Sequence, residues 1–442
     1  MKKFNISSQK VLAVLFTAVI VFFAGTIVER IVRFSFFKQN PYYYLFEEKK
    51  PTPYTGFFEK LFPFEDEDDA EQQPAQQSES ADTAEEAKTD SGILSAAEAK
   101  TESLKSDFEY YTEKLLFGRM QFISLNARFN KVIGMKIIEN NESSVISLLD
   151  GNLTFKPEYY DTRNAAKAIS DFSADLQKEG IDFVYVQVPS KVDSENNLLP
   201  YGIEDYDNIT ADEFLSNLEG VKYLDLRQLM HEQNINYTEA FFRTDHHWTS
   251  ETAFWASGEI ADYVSKNTSI VLDTGKFDVD KYIKRTFKKA SLGSLGKIVT
   301  ASYIEPEDFS VFLPKYETDF HFYSFYENMN IDGPFEKALL DMSVFESDDL
   351  YNVSAYGTFL YNAPELVKID NKLIDNDTSI LILGDSYKSS VVPYFAASVK
   401  TVYSMNTGFT GSIRSFVKQY KPDLVLVITY PPTLAFFNKG VR

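Results

Sequence analysis

Short apolar runs alternate with helical patterns from residue 163 to the end of the chain. The apolar runs are rich in β-branched or aromatic residues, which is typical of buried strands, and they cover residues 181–189, 221–226, 379–383 and 423–429. Helical spacing of apolar residues covers residues 163–178, 250–265 and 412–420. In the second of these, Thr249 or Ser250 can cap the start of the helix. Strands that alternate with helices predict an α/β domain with a mainly parallel sheet.

One stretch of the chain breaks this alternation. Residues 271–376 are aromatic and acidic, and glycines punctuate the run 292–296. We therefore expect an insertion that lies over the sheet and supplies a wall for a substrate.

An uncharged apolar segment near the N-terminus predicts a membrane span. Residues 11–28 carry no charge, and these 18 residues approach the number that a helix needs to cross a hydrocarbon core about 30 Å thick. The competing interpretation is a cleaved signal peptide, because Lys2, Lys3 and Lys10 form a basic region before the apolar run. A clear small-residue cleavage site is missing, which favours an uncleaved anchor. We expect residues 1–10 to be a cytoplasmic tail and the large C-terminal part to be extracytoplasmic.

Composition divides the rest of the N-terminal region into two parts. Residues 29–62 are aromatic, as expected of a juxtamembrane segment. Residues 63–107 have almost no large apolar side chains, so they predict a disordered, extended linker. Between Glu65 and Asp90, eleven acidic residues against Lys88 give −10 of the formal net charge of −21. Residues 108–442 are then the globular domain. The net charge disfavours a nucleic-acid partner, but with about half of it in the linker the rest of the chain is only mildly acidic.

The number of cysteines indicates in which cellular compartment and kind of organism the protein is expected. The chain contains no cysteine. A secreted eukaryotic domain of this size often carries disulfides, so the absence of cysteine in an exported chain favours a bacterial envelope protein.

A Gly-Asp-Ser turn follows the third apolar run. Gly384, Asp385 and Ser386 precede a segment that can open a helix, and ligands gather at the carboxyl ends of strands in open α/β sheets. Backbone N–H groups of a helix start favour an alkoxide or a developing oxyanion there. The alternative is structural, because Asp385 or Ser386 can simply cap the helix.

A second candidate lies in the sequence Arg-Thr-Asp-His-His-Trp-Thr at residues 243–249. In an extended segment, Asp245 and His247 face the same way, so the carboxylate can orient the imidazole as a base while His246 points to the opposite side. Serine needs such a base to act as a nucleophile. The alternatives are a pair of core histidines and a metal site made from Asp245, His246 and His247, which we disfavour because adjacent histidines seldom converge on one ion.

At these two motifs the chain resembles the DHHW group of SGNH-hydrolase-like proteins, which are similar to alginate O-acetylation proteins of the AlgX/AlgJ type. The resemblance implies a flavodoxin-like three-layer domain with permuted motif order, since the serine follows the Asp-His motif. It assigns Ser386 as nucleophile, His247 as base and Asp245 as the orienting acid. Further pocket residues would be Lys191, Arg243, Trp248 and Tyr387, although a tryptophan such as Trp248 more often packs than binds sugar, and a lysine such as Lys191 more often ends a strand in solvent.

The resemblance implies a membrane-anchored, extracytoplasmic O-acetyltransferase that modifies a cell-surface polysaccharide. Its expected partner is a membrane-embedded acyltransferase that supplies acetyl groups, and no cofactor or metal is required. One alternative is an esterase with the same three residues, because the choice depends on whether water or sugar reaches the acyl-enzyme. The other is a non-catalytic scaffold or glycan-binding protein that retains the fold.

Overall fold

The computed structural model describes residues 119–139, 144–362, 365–409 and 411–441. The predicted tail, membrane span, juxtamembrane segment and linker lie outside these residues. Within the described part of the chain, no helix combines the length and apolar character needed to cross a membrane. The chain divides into two units, and residues 124–442 form the one that carries the features below.

An eight-stranded mixed sheet forms the centre of this unit. Its order is β5-β4-β13-β11-β12-β10-β8-β9. The strands are β4 (Asp182–Gln187), β5 (Tyr223–Asp225), β8 (Phe320–Ser324), β9 (Asn330–Gly333), β10 (Leu366–Asn371), β11 (Ser379–Gly384), β12 (Thr401–Asn406) and β13 (Leu424–Thr429). The four pairings from β5 to β12 are parallel, whereas the three from β12 to β9 are antiparallel.

The parallel strands are buried on both faces. In β11, Ile380 and Ile382 enter one core, while Leu381 and Leu383 enter the other. This alternation follows from the two-residue period of a strand, and it explains why both faces of the central strands are apolar. The central sheet is therefore the middle of three layers, as the sequence predicted.

Helices cover the two faces of the sheet. The described α-helices are α1 (Arg119–Val132), α2 (Arg163–Lys178), α3 (Tyr206–Ser216), α4 (Leu226–Glu232), α5 (Tyr237–Ala240), α6 (Ser250–Asn267), α7 (Ser294–Val299), α8 (Phe335–Leu339), α9 (Val392–Ala396) and α10 (Ile413–Tyr420). Apolar residues of α2 and α10 join one core and those of α6 join the other. The Thr249 side chain accepts a hydrogen bond from the Thr252 N–H, which caps α6.

The strand order agrees with a permuted flavodoxin-like topology. If β11 is counted first, followed by β12, β13, β4 and β5, the five parallel strands lie in the order 2-1-3-4-5. That is the flavodoxin-like order, with the chain entering it at the fourth strand. The serine motif therefore follows the topological first strand, although it comes late in the chain.

The structure corrects two predictions about the sheet and the insertion. The sheet is mixed rather than mainly parallel, because β10, β8 and β9 extend it by antiparallel pairing. All three of these strands come from the predicted insertion, so this segment does not simply lie over the sheet. The burial of β8 alternates, as expected of a strand near a sheet edge.

Smaller elements complete the unit. A three-stranded antiparallel sheet contains β1 (Ile137–Glu139), β2 (Ser144–Ser147) and β3 (Leu153–Phe155), and a separate hairpin pairs β6 (Tyr282–Ser291) with β7 (Glu307–Pro314). Short 3₁₀ helices cover Thr274–Phe277, Val279–Lys281, Met342–Phe345, Ala355–Thr358, Ser386–Ser390 and Pro431–Lys439. The segments that carry α7, the start of β7 and the 3₁₀ helix Ala355–Thr358 all contact the candidate site.

Candidate active site

Ser386 follows the carboxyl end of β11 and is the first residue of a 3₁₀ helix. Asp385 caps this helix, because its carboxylate accepts from the Tyr387 N–H at 3.0 Å. The other carboxylate oxygen accepts from the Tyr430 N–H and the Thr433 hydroxyl. Asp385 is thus the cap and Ser386 is left exposed.

Gly384 permits the close approach of β11 and β13 at this turn. A Cβ added to Gly384 would lie 2.0 Å from the Ile428 carbonyl oxygen. A side chain at position 384 would therefore force the two strands apart directly before the serine.

Ser386, His247 and Asp245 are joined in a hydrogen-bonded relay. His247 Nε2 lies 2.7 Å from Ser386 Oγ, and His247 Nδ1 lies 2.7 Å from Asp245 Oδ1. His247 and Asp245 are buried, whereas Ser386 is exposed. This is the arrangement in which a carboxylate fixes the imidazole tautomer and leaves the second ring nitrogen free to take a proton from a serine.

Burial and neighbouring charges shift the pKa values of both Asp245 and His247. Burial raises the pKa of the Asp245 carboxyl, but the His247 and His246 imidazoles outweigh it and bring this pKa well below its usual range. Burial, followed by repulsion from His246, lowers the pKa of His247 to about 4. Asp245 is therefore ionised and His247 is neutral near pH 7, which are the states that a base and its orienting acid require.

The low pKa of His247 predicts the pH dependence of serine acylation. The base must be unprotonated, so activity is lost as the pH falls through the pKa of His247 and is constant above it. We expect the acidic limb of kcat/KM for an activated acetyl ester to lie well below pH 6.5, the ordinary value for histidine. A pH profile measured on the purified protein checks this expectation. A midpoint at or above pH 6.5 would contradict the neutral, buried imidazole.

The predicted insertion holds the loop that carries Asp245. The Glu307 carboxylate accepts from the N–H groups of Arg243 and Thr244, at 2.8 Å and 2.7 Å, and from the Thr244 hydroxyl. The Ser294 N–H donates to Asp245 Oδ2 at 2.9 Å, and the Gly293 N–H donates to Thr244 Oγ1 at the same distance. Hence the carboxylate is fixed from a segment about fifty residues away in sequence.

Gly293 is confined by the same loop. A Cβ at this position would lie 2.4 Å from the Asp245 Cβ and 2.7 Å from the Thr244 carbonyl oxygen. The glycine-punctuated run at 292–296 is thus the surface against which Asp245 packs.

Lys191 supports the loop from the other side. Its side chain is buried, and the ammonium donates to the carbonyl oxygens of Leu153, Phe242 and Asp245. Burial lowers the pKa of Lys191 to about 8. Backbone carbonyl oxygens accept these hydrogen bonds, so the lysine does not end a strand in solvent, and its contact with a substrate stays a prediction.

Two more of the predicted pocket residues lie in the core. Trp248 is fully buried and donates from Nε1 to Ser390 Oγ at 2.9 Å. Tyr387 is fully buried and donates to the carbonyl oxygen of His246. Both anchor the two motifs to each other instead of lining a pocket. Arg243 is exposed, and its contact with a substrate stays a prediction.

His246 does not point away from its neighbour, contrary to the prediction. Its Nδ1 lies 3.1 Å from Asp245 Oδ1, and its ring centroid lies 3.9 Å from that of His247. The alternation argument fails because residues 243–247 form bends rather than an extended strand. Both imidazoles therefore contact the same carboxylate.

The same three residues place possible metal ligands within 4.8 Å of one another, so the two adjacent histidines do converge. However, Nδ1 of His247 lies 2.7 Å from the carboxylate oxygen, a distance at which the two atoms share a proton. Two ligands of a tetrahedral zinc ion, each about 2.0–2.1 Å from the metal, lie farther apart than this. The described geometry fits a proton relay, and metal binding would require both Nδ1 hydrogen bonds to be given up.

Tyr356 contributes to the site although no sequence pattern indicated it. Its ring stacks on His247 with centroids 3.8 Å apart and planes 12° apart. Its hydroxyl lies 2.9 Å from Ser390 Oγ and 3.3 Å from the Ser386 carbonyl oxygen. The tyrosine thus buries one face of the imidazole. Glu307 was missed as well, since neither residue belongs to a motif with a recognisable spacing.

A three-layer α/β domain with a Ser-His-Asp relay beside its topological first strand has the SGNH-hydrolase-like fold. The comparisons agree with this class. Residues 153–318 match a family model described as an SGNH hydrolase-like domain of the acetyltransferase AlgX. The match confirms the resemblance drawn from the sequence and the predicted enzyme type, an acetyltransferase or esterase of the SGNH-like kind. No curated protein gives a significant sequence match.

Solved structures support the fold over about two thirds of the chain. Bacillus cereus PatB1 is 20% identical, with a TM-score of 0.55, and the alignment covers 69% of this chain and 99% of PatB1. A structure of PatB1 with a sulfonyl adduct gives 19% identity and the same TM-score, over 67% and 96% of the two chains. A DHHW family protein from Eubacterium siraeum is 17% identical, with a TM-score of 0.54, over 70% and 98%.

Proposed function

We propose that this protein is a membrane-anchored, extracytoplasmic O-acetyltransferase that modifies a cell-surface polysaccharide through an acetyl-serine intermediate. The observation that carries the proposal is the relay from Asp245 through His247 to the exposed Ser386, with both hydrogen bonds at 2.7 Å. The matched family model describes an acetyltransferase, which supports acetyl as the transferred acyl group. The apolar segment at residues 11–28 supports the anchor.

In the first half-reaction, Ser386 attacks the acetyl carbonyl of the donor. His247 Nε2 takes the hydroxyl proton and then returns it to the leaving group of the donor, so that an acetyl ester forms on Ser386. We expect the Ser386 N–H and neighbouring polar groups to hold the developing oxyanion. Asp245 stays ionised throughout and stabilises the imidazolium that forms. We expect a membrane-embedded acyltransferase to supply the donor.

In the second half-reaction, a sugar hydroxyl gives its proton to His247 Nε2 and attacks the acetyl-serine. The Ser386 oxygen leaves and recovers the proton, and the acetyl group ends on the sugar. Because Ser386 is exposed, water can reach the same ester. This exposure is the observation that favours the second candidate, a carbohydrate esterase.

The gain or loss of acetyl groups on a defined glycan distinguishes the candidate functions. We expect the purified full chain, given an activated acetyl ester and envelope glycan, to add acetyl groups to the glycan. In cells, Ser386→Ala in place of the wild type should lower the ester content of the surface polysaccharide. Release of acetyl groups from an acetylated glycan, with none gained by a bare one, would identify an esterase. Unchanged surface acetylation in cells that carry folded Ser386→Ala would identify a non-catalytic protein.

A further inference from the structure

His246 lies in the site, although the relay does not use it. Its side chain is 18% exposed, compared with 9% for His247. Its Nδ1 lies 3.1 Å from Asp245 Oδ1 and 3.2 Å from Ser294 Oγ. Among the described residues, no side chain or backbone group bonds its Nε2. This ring nitrogen therefore has no hydrogen-bond partner in the described part of the chain, and its ring centroid lies 3.9 Å from that of His247.

The carboxylate selects the tautomer of this imidazole. A neutral ring with its lone pair on Nδ1 would direct that pair at an ionised oxygen 3.1 Å away, which is repulsive. The proton therefore lies on Nδ1, where the Ser294 hydroxyl oxygen accepts it at 3.2 Å and Asp245 Oδ1 lies close by, and the Ser294 hydroxyl donates in turn to Asp245 Oδ1 at 3.4 Å. It follows that Nε2 of His246 carries the lone pair and is a hydrogen-bond acceptor.

The two histidines thus form a matched pair. Each contacts Asp245 Oδ1 through Nδ1, and each has Nε2 on the far side of the ring from that oxygen. The ring centroids are 3.9 Å apart, and the planes differ by 36°. Nε2 of His247 contacts Ser386 Oγ, whereas Nε2 of His246 bonds no group of the residues that the structure describes. The half-buried rings of Phe155 and Tyr430 flank His246, with centroids 5.1 Å and 6.1 Å from its own.

We propose that Nε2 of His246 binds the acceptor sugar, by accepting a hydrogen bond from the hydroxyl adjacent to the one that is acetylated. The inference rests on the proposed transferase function and names the acceptor class, a sugar with two hydroxyls on neighbouring carbons. The attacking hydroxyl donates to His247 Nε2, and its neighbour donates to His246 Nε2. The proton of the attacking hydroxyl passes through His247 to Ser386 Oγ, and His246 gains none. Water offers no second hydroxyl, so the pair favours transfer over hydrolysis.

Two substitutions test the roles of the two ring nitrogens of His246 separately. In His246→Asn, the amide reaches the position of Nδ1 and can still donate to Asp245, but nothing replaces Nε2. In His246→Gln, the longer side chain brings an amide oxygen near the position of Nε2. The full-length protein is assayed with an activated acetyl ester, first for acylation of Ser386 and then for transfer. The acceptors are a methyl glycoside with neighbouring hydroxyls and the matched deoxy glycoside.

The wild type should transfer to the diol about 10-fold faster than to the deoxy acceptor, which is the loss of roughly one hydrogen bond. His246→Asn should reduce transfer to the diol about 10-fold more than it reduces acylation, and it should abolish the preference for the diol. His246→Gln should recover part of that preference.

Other outcomes overturn the inference. If acylation and transfer fall together in both variants while the diol preference persists, His246 acts only by placing Asp245. Transfer by His246→Asn with the wild-type rate and preference would also overturn it, as would a wild type without any diol preference. A wild type that neither acylates nor transfers would instead remove the proposed function on which the inference rests. Thermal unfolding of both variants verifies that they are folded.

Discussion

Replacement of Ser386 by alanine is expected to lower the rate of acetyl transfer by about 10⁴- to 10⁶-fold, because loss of the nucleophile removes the covalent route altogether. The Ser386 side chain is exposed, and its hydroxyl contacts His247 Nε2 without entering the core. The variant should therefore fold with a free energy of unfolding within about 1 kcal/mol of the wild type. Steady-state transfer to a glycan and thermal unfolding measure the two effects separately.

Ser389→Ala provides the matched control for this variant. Ser389 lies on the same 3₁₀ helix, and its buried hydroxyl has no hydrogen-bond partner among the described residues. Removal of that hydroxyl should leave transfer within a few-fold of the wild type. If Ser386→Ala were no slower than Ser389→Ala, Ser386 would not be the nucleophile.

The second large effect is expected for Gly293→Ala, which lies outside the relay. Its new Cβ would lie 2.4 Å from the Asp245 Cβ, so either the carboxylate or α7 must move. A displaced Asp245 no longer holds His247 in the productive tautomer and orientation. We expect transfer to fall by about 10²- to 10⁴-fold. Acylation kinetics with an activated acetyl ester measure this loss.

Gly258→Ala tests whether any alanine in place of glycine has this effect. Gly258 lies in α6, and its added Cβ would meet the Phe277 Cβ at an ordinary 3.6 Å. The substitution should preserve activity and stabilise the helix by about 0.5–1 kcal/mol. A fully active Gly293→Ala protein would show that the packing of α7 on Asp245 does not position the carboxylate.

Local patterns were sufficient to predict four of the five parallel strands, whereas β12 was not recognised. β11 and β13 are continuous apolar runs, so their bounds lie within one residue of the prediction. α2 occupies the predicted range because its apolar residues recur at helical spacing. The antiparallel strands β8, β9 and β10 were not recognised either. β8 is aromatic with partly exposed positions, and its pairing depends on a partner far away in sequence.

In the candidate site, too, residues of short local motifs were predicted, whereas residues that contact them from distant segments were not. Asp245 and His247 are two residues apart, and Ser386 follows a strand, so short motifs were enough to select them. Lys191, Glu307 and Tyr356 act on these motifs from distant segments, and their contacts arise only when the chain folds. The orientation of His246 was predicted wrongly because side-chain alternation holds only for an extended backbone.

Location of the acetyl group on the enzyme tests the central claim most directly. The full-length protein is mixed with an activated acetyl ester, quenched in acid before turnover is complete and digested for peptide mass spectrometry. The account predicts one acetyl group on Ser386 in the wild type, and none in Ser386→Ala at any time after mixing. Glycan acetylation by the wild type without acetyl on Ser386 at any time, or with acetyl on another residue that Ser386→Ala retains, would contradict it.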